Sequence, residues 1–85
     1  MTIIVAGFPN TRTQRTLMNV EAAVSEFDRP PSVEWISDPY RIKALGVRQT
    51  PCILINEKLK VAGRIPNLSE VEKWITEEMH EDVEV

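Results

Sequence analysis

The sequence is short of the residues that stabilise small proteins covalently or through a metal. Of its 85 residues one is cysteine, Cys52, and one is histidine, His80. A single cysteine cannot close a disulfide within the chain, and two widely separated ligands do not make a tetrahedral zinc site. We therefore expect no metal and no cofactor, and a domain held together by packing in a reducing compartment such as the cytoplasm.

Long apolar runs and an excess of positive charge are also missing. The start, MTIIVAGF, has no positively charged lead, and its apolar run is too brief for a signal sequence or a membrane span. With 10 Lys+Arg against 13 Asp+Glu the formal net charge is -3, which gives no electrostatic reason to expect nucleic acid or an anionic membrane as a partner. These features favour a cytoplasmic protein that binds neither.

What the sequence does contain is a regular alternation of apolar patterns. A β-branched run opens the chain, and apolar residues at three- and four-residue spacing then indicate an amphipathic helix that ends before Pro30-Pro31. Asp38-Pro39 is a favourable helix start, and the spacing of Asn67 and Glu70 is that of a capping box. The pattern predicts strands at 2–7, 32–37, 52–56 and 59–63 and helices at about 13–27, 39–45 and 68–79.

This order, β-α-β-α-β-β-α, predicts one α/β domain over residues 1–85, with an acidic, frayed tail from about residue 80. A four-stranded mixed sheet satisfies it, with the first and third helices on one face and the second helix on the other. Trp35 and Trp74 fall at positions typical of core packing. A turn at Asn56-Glu57-Lys58 joins the last two strands, and the carboxylates of the final helix are interpreted as a solvated face.

The second half of the chain carries a family resemblance. The stretch GVRQTPCILINEKLKVAGRIPNLSEVEKWI resembles the small thioredoxin-like proteins of the glutaredoxin-sized "redox-active disulfide" type. In that family a Gly-Val-x-x-Thr-Pro segment precedes a hairpin and a Gly-Arg-x-Pro segment. The matching positions are Gly46, Val47, Thr50, Pro51, Gly63, Arg64 and Pro66. The resemblance implies a thioredoxin-like fold with a cis peptide bond at Pro51, beside which extended peptides or thiol substrates bind.

The same resemblance exposes a departure. In the family a Cys-x-x-Cys loop opens the first helix, and aligning on Gly7 places Asn10-Thr11-Arg12-Thr13 over it. Both cysteines are missing, including the one that a monothiol glutaredoxin would keep. A thiolate at the helix start and a second thiol that resolves the mixed disulfide are both needed for the reaction. The resemblance therefore implies a thioredoxin fold without its oxidoreductase chemistry.

Two interpretations of Cys52 stay open. It follows Pro51, which places it near the start of the first helix in the family's fold. It could act as the catalytic residue of a thiol-disulfide oxidoreductase of reduced scope, forming mixed disulfides with glutathione or a partner thiol. Alternatively it fills the core, because cysteine is among the side chains most often buried.

The alignment also predicts a cationic binding groove. Arginines would surround the place of the missing thiols, beside free amides at a helix start that favour an anion. An acidic peptide or a small carboxylate or phosphate could bind there, and the alternative is that these arginines are simply solvated. The expected function is a non-catalytic module that binds a protein partner or subunit. The groove residues are Asn10, Thr11, Arg12, Thr13, Arg48, Thr50, Pro51 and Arg64, with Arg15 as a further candidate.

Overall fold

A computed structural model describes residues 1–81 and has the predicted order of elements. The predicted tail lies mostly outside the described residues, although the last helix includes its first two positions. Within the described range no helix is both long and apolar enough to cross a membrane. The elements are β1 (Thr2–Ala6), α1 (Thr11–Val24), β2 (Ser32–Ile36), α2 (Pro39–Ala44), β3 (Cys52–Ile55), β4 (Lys58–Ala62) and α3 (Leu68–Glu81).

The strands form one mixed sheet in the order β2-β1-β3-β4. β1 pairs with β2 in parallel and with β3 antiparallel, and β3 pairs antiparallel with β4. Side chains of successive strand residues point to opposite faces, so β3 supplies both sides of the core. Its residue Ile53 packs in the cluster under α1 and α3, whereas Leu54 packs in the cluster under α2. The predicted α/β architecture with helices on both faces is confirmed.

Helix α1 is displaced by two to three residues from its predicted position. It begins at Thr11 because the Asn10 side chain accepts a 2.9 Å hydrogen bond from the Thr13 amide, which is an N-cap. It ends at Val24, since the amide of Phe27 turns back to the Val24 carbonyl at 3.1 Å. Phe27 still packs on the core. The apolar spacing therefore predicted the buried face of α1 correctly, but it predicted the two ends of the helix wrongly.

The hairpin turn is tighter than the sequence predicted. Asn56 and Glu57 both have positive φ, 51° and 68°, which is the two-residue turn that matches the twist of paired strands. Lys58 is therefore the first residue of β4 rather than part of the turn. A glutamate in the left-handed region is an uncommon choice, which is why the sequence signal was weak.

The interpretation of Trp35 as a core residue was wrong. Trp35 lies on the edge strand β2 and is 41% exposed, and its Nε1 donates a 2.9 Å hydrogen bond to the Gly7 carbonyl. Since β2 is the last strand on its side of the sheet, only part of the ring finds a neighbour. Trp74 is half-buried and packs against the core beneath α1 and α3, as predicted.

A buried carboxylate in α3 also contradicts the prediction of a solvated face. Glu78 is 2% exposed, and its carboxylate accepts a 2.8 Å hydrogen bond from Lys60 and forms a 3.4 Å ion pair with Lys58. The Lys60 hydrogen bond lowers the pKa of Glu78, with a smaller contribution in the same direction from Asn56. These contacts hold β4 against α3. Gly63, which belongs to the candidate site described below, follows directly after β4.

Candidate functional site

The first turn of α1 stands at the carboxyl end of β1. The amide of Gly7 donates to the Ile36 carbonyl at 3.0 Å, which holds the connection between β1 and α1 against β2. Asn10, Thr11 and Arg12 are exposed. The first amides of a helix have no partner within it, so this turn presents free donors to the surface.

Thr13 differs from its neighbours because it is buried. It is 1% exposed, and its Oγ1 has no hydrogen-bond partner among the described residues. A β-carbon added to Gly7 would lie 3.0 Å from Thr13 Cγ2 and closer still to Oγ1, so the Thr13 side chain packs directly against the Gly7 backbone. Position 13 therefore has room for a small side chain only. Among the described residues, no group forms a hydrogen bond with the hydroxyl of that side chain.

Thr50 and Pro51 form the other side of the site. The peptide bond between them is cis. Pro51 is buried, and its carbonyl accepts a 2.9 Å hydrogen bond from the Gly63 amide across the β3–β4 ladder. Thr50 is half-buried and so keeps exposed surface.

Arg12 joins the two sides. Its Nη2 donates a 2.6 Å hydrogen bond to the carbonyl of Gly63, whose amide is bonded to Pro51. Gly63 has φ 83°, and the Gln49 side chain lies against its α-carbon, so no other residue fits there without strain. Arg12 thus links residues 10–13 to residues 50–51 through Gly63, and we call these two segments the Pro51 site.

The predicted arginines do not form one cluster. Arg64 points to α3, where it makes a bidentate ion pair with Glu70 at 2.9 and 2.6 Å. Arg15 lines a shallow concavity beside Ile65, while Arg48 lines a separate one beside Ala62. Of the predicted arginines, Arg12 alone bonds directly to the backbone that contacts Pro51.

Glu70 has a second role that its spacing from Asn67 indicated. The Asn67 side chain accepts from the Glu70 amide at 2.8 Å, and the Glu70 carboxylate accepts from the Asn67 amide at 3.1 Å. The hydrogen bond from Arg64, together with the one from Asn67, lowers the pKa of Glu70 to about 2. Arg64 thus anchors the start of α3, and its charge is already balanced.

This arrangement predicts a pH dependence of stability. Because the pKa of Glu70 falls from 4.5 to about 2 on folding, the unfolded chain binds more protons between these values, and stability is lost as the pH drops through them. Glu70→Gln should flatten the urea-unfolding free energy between about pH 4.5 and pH 2 relative to the wild type. Glu72→Gln, on the same helix, is the matched control, and an equal flattening in both variants would contradict the assignment.

Cys52 faces away from α1. It is fully buried in the cluster that also contains Ile42 of α2 and Leu54, on the opposite side of the sheet from α1. Burial raises the pKa of its thiol, although a hydrogen bond from the Ala6 backbone opposes this. The side chain therefore does not reach the start of α1, where the sequence placed it. No three His, Cys, Asp or Glu side chains within residues 1–81 are arranged to share a metal ion.

Sequence reasoning missed the contacts that assemble the site. The bond from Arg12 to Gly63 links residues 51 positions apart. The bond from the Asn19 side chain to the Pro66 carbonyl, at 2.8 Å, links residues 47 positions apart. Gly63 and Pro66 were recognised only through the family pattern, and no local signal identified their partners on α1.

A family model matches most of the chain. The family model described as a thioredoxin domain matches residues 1–76, which include both segments of the Pro51 site. No curated protein and no solved structure gives a significant match.

Proposed function

Since the chain belongs to the thioredoxin domain family, we propose that it is a non-catalytic member whose Pro51 site binds an extended segment of a partner protein. One observation carries the proposal: the helix start that aligns with the family's cysteine pair, at Asn10 and Thr13, is linked to Pro51 by the bond from Arg12 to Gly63 and the bond from Gly63 to Pro51. The binding surface is retained while its nucleophiles are replaced.

The chemistry of the replaced positions supports the absence of catalysis. Disulfide exchange proceeds by attack of a thiolate on a disulfide sulfur, and a second thiol then releases the mixed disulfide. The Asn10 side chain is an amide that caps α1, and the Thr13 hydroxyl is buried. Neither can form a thiolate, and a shared fold does not by itself transmit activity.

The remaining surface suits an extended peptide. The residue before a proline is held in an extended conformation, and an extended backbone can pair with a peptide strand through main-chain hydrogen bonds. On the helix side of the site the side chains of Thr11 and Arg12 are exposed. Such a surface binds through shape and backbone contacts rather than through covalent chemistry.

The alternative function, an oxidoreductase that uses Cys52 alone, is less well supported. The reactive species of a cysteine is its thiolate, and thiolates form readily only where the thiol is accessible and its pKa is lowered. Cys52 has no exposed surface, and its thiol pKa is raised. Both properties oppose a mixed disulfide with glutathione or with a partner thiol.

A pull-down from the protein's own cell extract tests the proposal. Thr11→Trp adds a bulky ring at the exposed start of α1 and should reduce the captured partner at least about tenfold, a loss of about 1.4 kcal/mol in binding free energy. Thr76→Trp, on an exposed position of α3, should capture as much partner as the wild type. Equal capture by Thr11→Trp and the wild type, with both variants folded by circular dichroism, would refute binding at the Pro51 site.

A further inference from the structure

A basic surface adjoins the Pro51 site. It consists of the segment 62–65 and of three arginines that lie separately around it, Arg12, Arg15 and Arg48, and we call it the arginine strip. On α1, Arg12, Arg15 and Asn19 follow one another at three- and four-residue spacing and so share one face of the helix. Arg12, at one end of this row, donates a hydrogen bond to the Gly63 carbonyl. Asn19, at the other end, donates one to the Pro66 carbonyl.

Two concavities border this strip, one at Ile65 and one at Ala62. The first is lined by Arg15, Met18, Asn19 and Ile65. The second is lined by Gly46, Val47, Arg48, Gln49, Leu59 and Ala62. Each therefore has one arginine beside apolar surface.

The spacing of the concavities sets the length of a ligand. Ala62 and Ile65 are three residues apart, so their α-carbons lie within about 11 Å of each other. An extended peptide covers this distance with about three to four residues, so a peptide of about eight residues is long enough to bridge both concavities and to enter each of them.

Apolar side chains are accessible at both ends of the strip. Met18 is 70% exposed and Leu59 is 53% exposed. Neither belongs to the two core clusters, so folding leaves both available to a partner. The strip thus offers apolar contacts that are separated by positive charge.

The charge of the strip differs from that of the whole chain. Residues 1–20 contain two arginines and no Asp or Glu, although the chain carries a net charge of -3. Residues 46–67 contain four basic residues, of which Lys58 and Lys60 pair with Glu78 and Arg64 pairs with Glu70. The fourth is Arg48. Among the described residues, Glu70 is the carboxylate bonded to segment 62–65, and Arg64 holds it. Arg12, Arg15 and Arg48 therefore face outward with a surplus of positive charge.

We propose that the arginine strip binds an extended acidic segment of the partner protein, in which apolar residues alternate with carboxylates. Arginine pairs well with carboxylates because its planar guanidinium can donate two parallel hydrogen bonds. The apolar residues fill the concavities beside Met18 and Leu59. This inference rests on the proposed function, since it names the chemical class of the segment that binds there.

A titration with three matched peptides tests the inference. The probes are fluorescein-labelled peptides of about eight residues: one of alternating Glu and Leu, its Gln isostere and its Lys counterpart. The Glu peptide should bind at least about tenfold more tightly than the Gln peptide, with an affinity that falls as NaCl is raised. Its amide shifts in NMR should centre on Arg12, Arg15, Arg48 and Gly63.

Charge-reversal variants locate the site. Arg15→Glu/Arg48→Glu should weaken the Glu peptide about tenfold, because two attractive contacts become repulsive. Arg29 lies beyond the carboxyl end of α1 and is exposed. Arg29→Glu also reverses the charge of an arginine, and it should leave the affinity for the Glu peptide within about twofold of the wild-type value. Equal weakening by Arg29→Glu would show a general charge effect and overturn the inference.

The remaining outcomes are also decisive. Equal affinity for the Gln peptide, shifts confined to other surfaces, or no binding of the Glu peptide would each overturn the acidic specificity. Sodium phosphate is a further test at matched ionic strength. If it displaces the Glu peptide and produces the same amide shifts, the strip is a general anion site and the inference of acidic-peptide binding is overturned. None of these results touches the proposed function, which the Thr11→Trp pull-down decides separately.

Discussion

The Asn10→Cys/Thr13→Cys double variant is expected to gain dithiothreitol-dependent insulin reductase activity at least about tenfold above the wild type, measured by turbidity at neutral pH. Asn10 is the N-cap of α1, and its side chain already accepts a hydrogen bond from the Thr13 amide. A thiolate at this position is stabilised by the same amides and by the positive end of the helix dipole. A fall of the thiol pKa from about 8.5 to about 7 raises the thiolate fraction of the new cysteine at neutral pH from about 3% to about 50%.

The second position also favours this gain. Thr13 is nearly fully buried against Gly7, and its hydroxyl has no partner among the described residues. A cysteine has nearly the volume of a threonine and needs no hydrogen bond, so it fits without opening a cavity. It lies on the same turn as position 10, within reach to resolve a mixed disulfide.

Three controls make the result interpretable. Asn10→Ala/Thr13→Ala tests whether disturbing the helix start alone produces activity, and Asn10→Cys/Thr13→Ala tests the need for the resolving thiol. Cys52→Ser in the wild-type background should leave the turbidity rate at the uncatalysed level, as for the wild type. Wild-type turnover that disappears in Cys52→Ser would instead establish the alternative oxidoreductase, and a folded double variant without activity would show that the site has lost more than its thiols.

Ile53→Ala is expected to lower the free energy of unfolding by about 3 kcal/mol and the melting temperature by about 15 °C. Ile53 is completely buried in the cluster beneath α1 and α3, two residues after Pro51. Truncation loses the transfer free energy of the removed methylene and methyl groups and leaves a cavity that packed helices close only partly. A small domain with a total stability of about 5–10 kcal/mol loses a large fraction of it.

Leu59→Ala is the matched control in the same hairpin. Leu59 is 53% exposed on the edge strand β4, and its truncation should cost less than about 1 kcal/mol. Urea unfolding followed by tryptophan fluorescence and by circular dichroism measures both variants. Equal losses for Ile53→Ala and Leu59→Ala would contradict the assignment of the core to the face beneath α1 and α3.

Local sequence patterns predicted the elements because the forces that form them act over a few residues. Apolar spacing located the buried face of α1, and Asp38-Pro39 located the start of α2. The boundaries were less predictable, since the cap at Asn10 and the turn at Asn56-Glu57 depend on dihedral angles that spacing does not show. Errors at the ends of elements are therefore small and have a local cause.

Burial of individual side chains was less predictable than the elements themselves. Trp35 has a large apolar side chain of the kind usually found in a core, but its strand lies at the edge of the sheet and leaves the ring partly in solvent. Glu78 has a charged side chain of the kind usually found on a surface, but the lysines of β4 supply the positive charges that let its carboxylate be buried. In both cases a neighbour distant in sequence decides the environment.

For the candidate site, the sequence by itself determined that the family's cysteine pair is absent. A cysteine pair is a matter of residue identity, so Asn10 and Thr13 exclude it before any coordinate is known. The tertiary structure alone decided which residues meet: Arg12 bonds to Gly63 beside Pro51, Arg64 is held by Glu70, and Cys52 faces α2. The reason is physical, because periodicity reports which face of an element is apolar, whereas contacts between distant segments exist only once the sheet has brought them together.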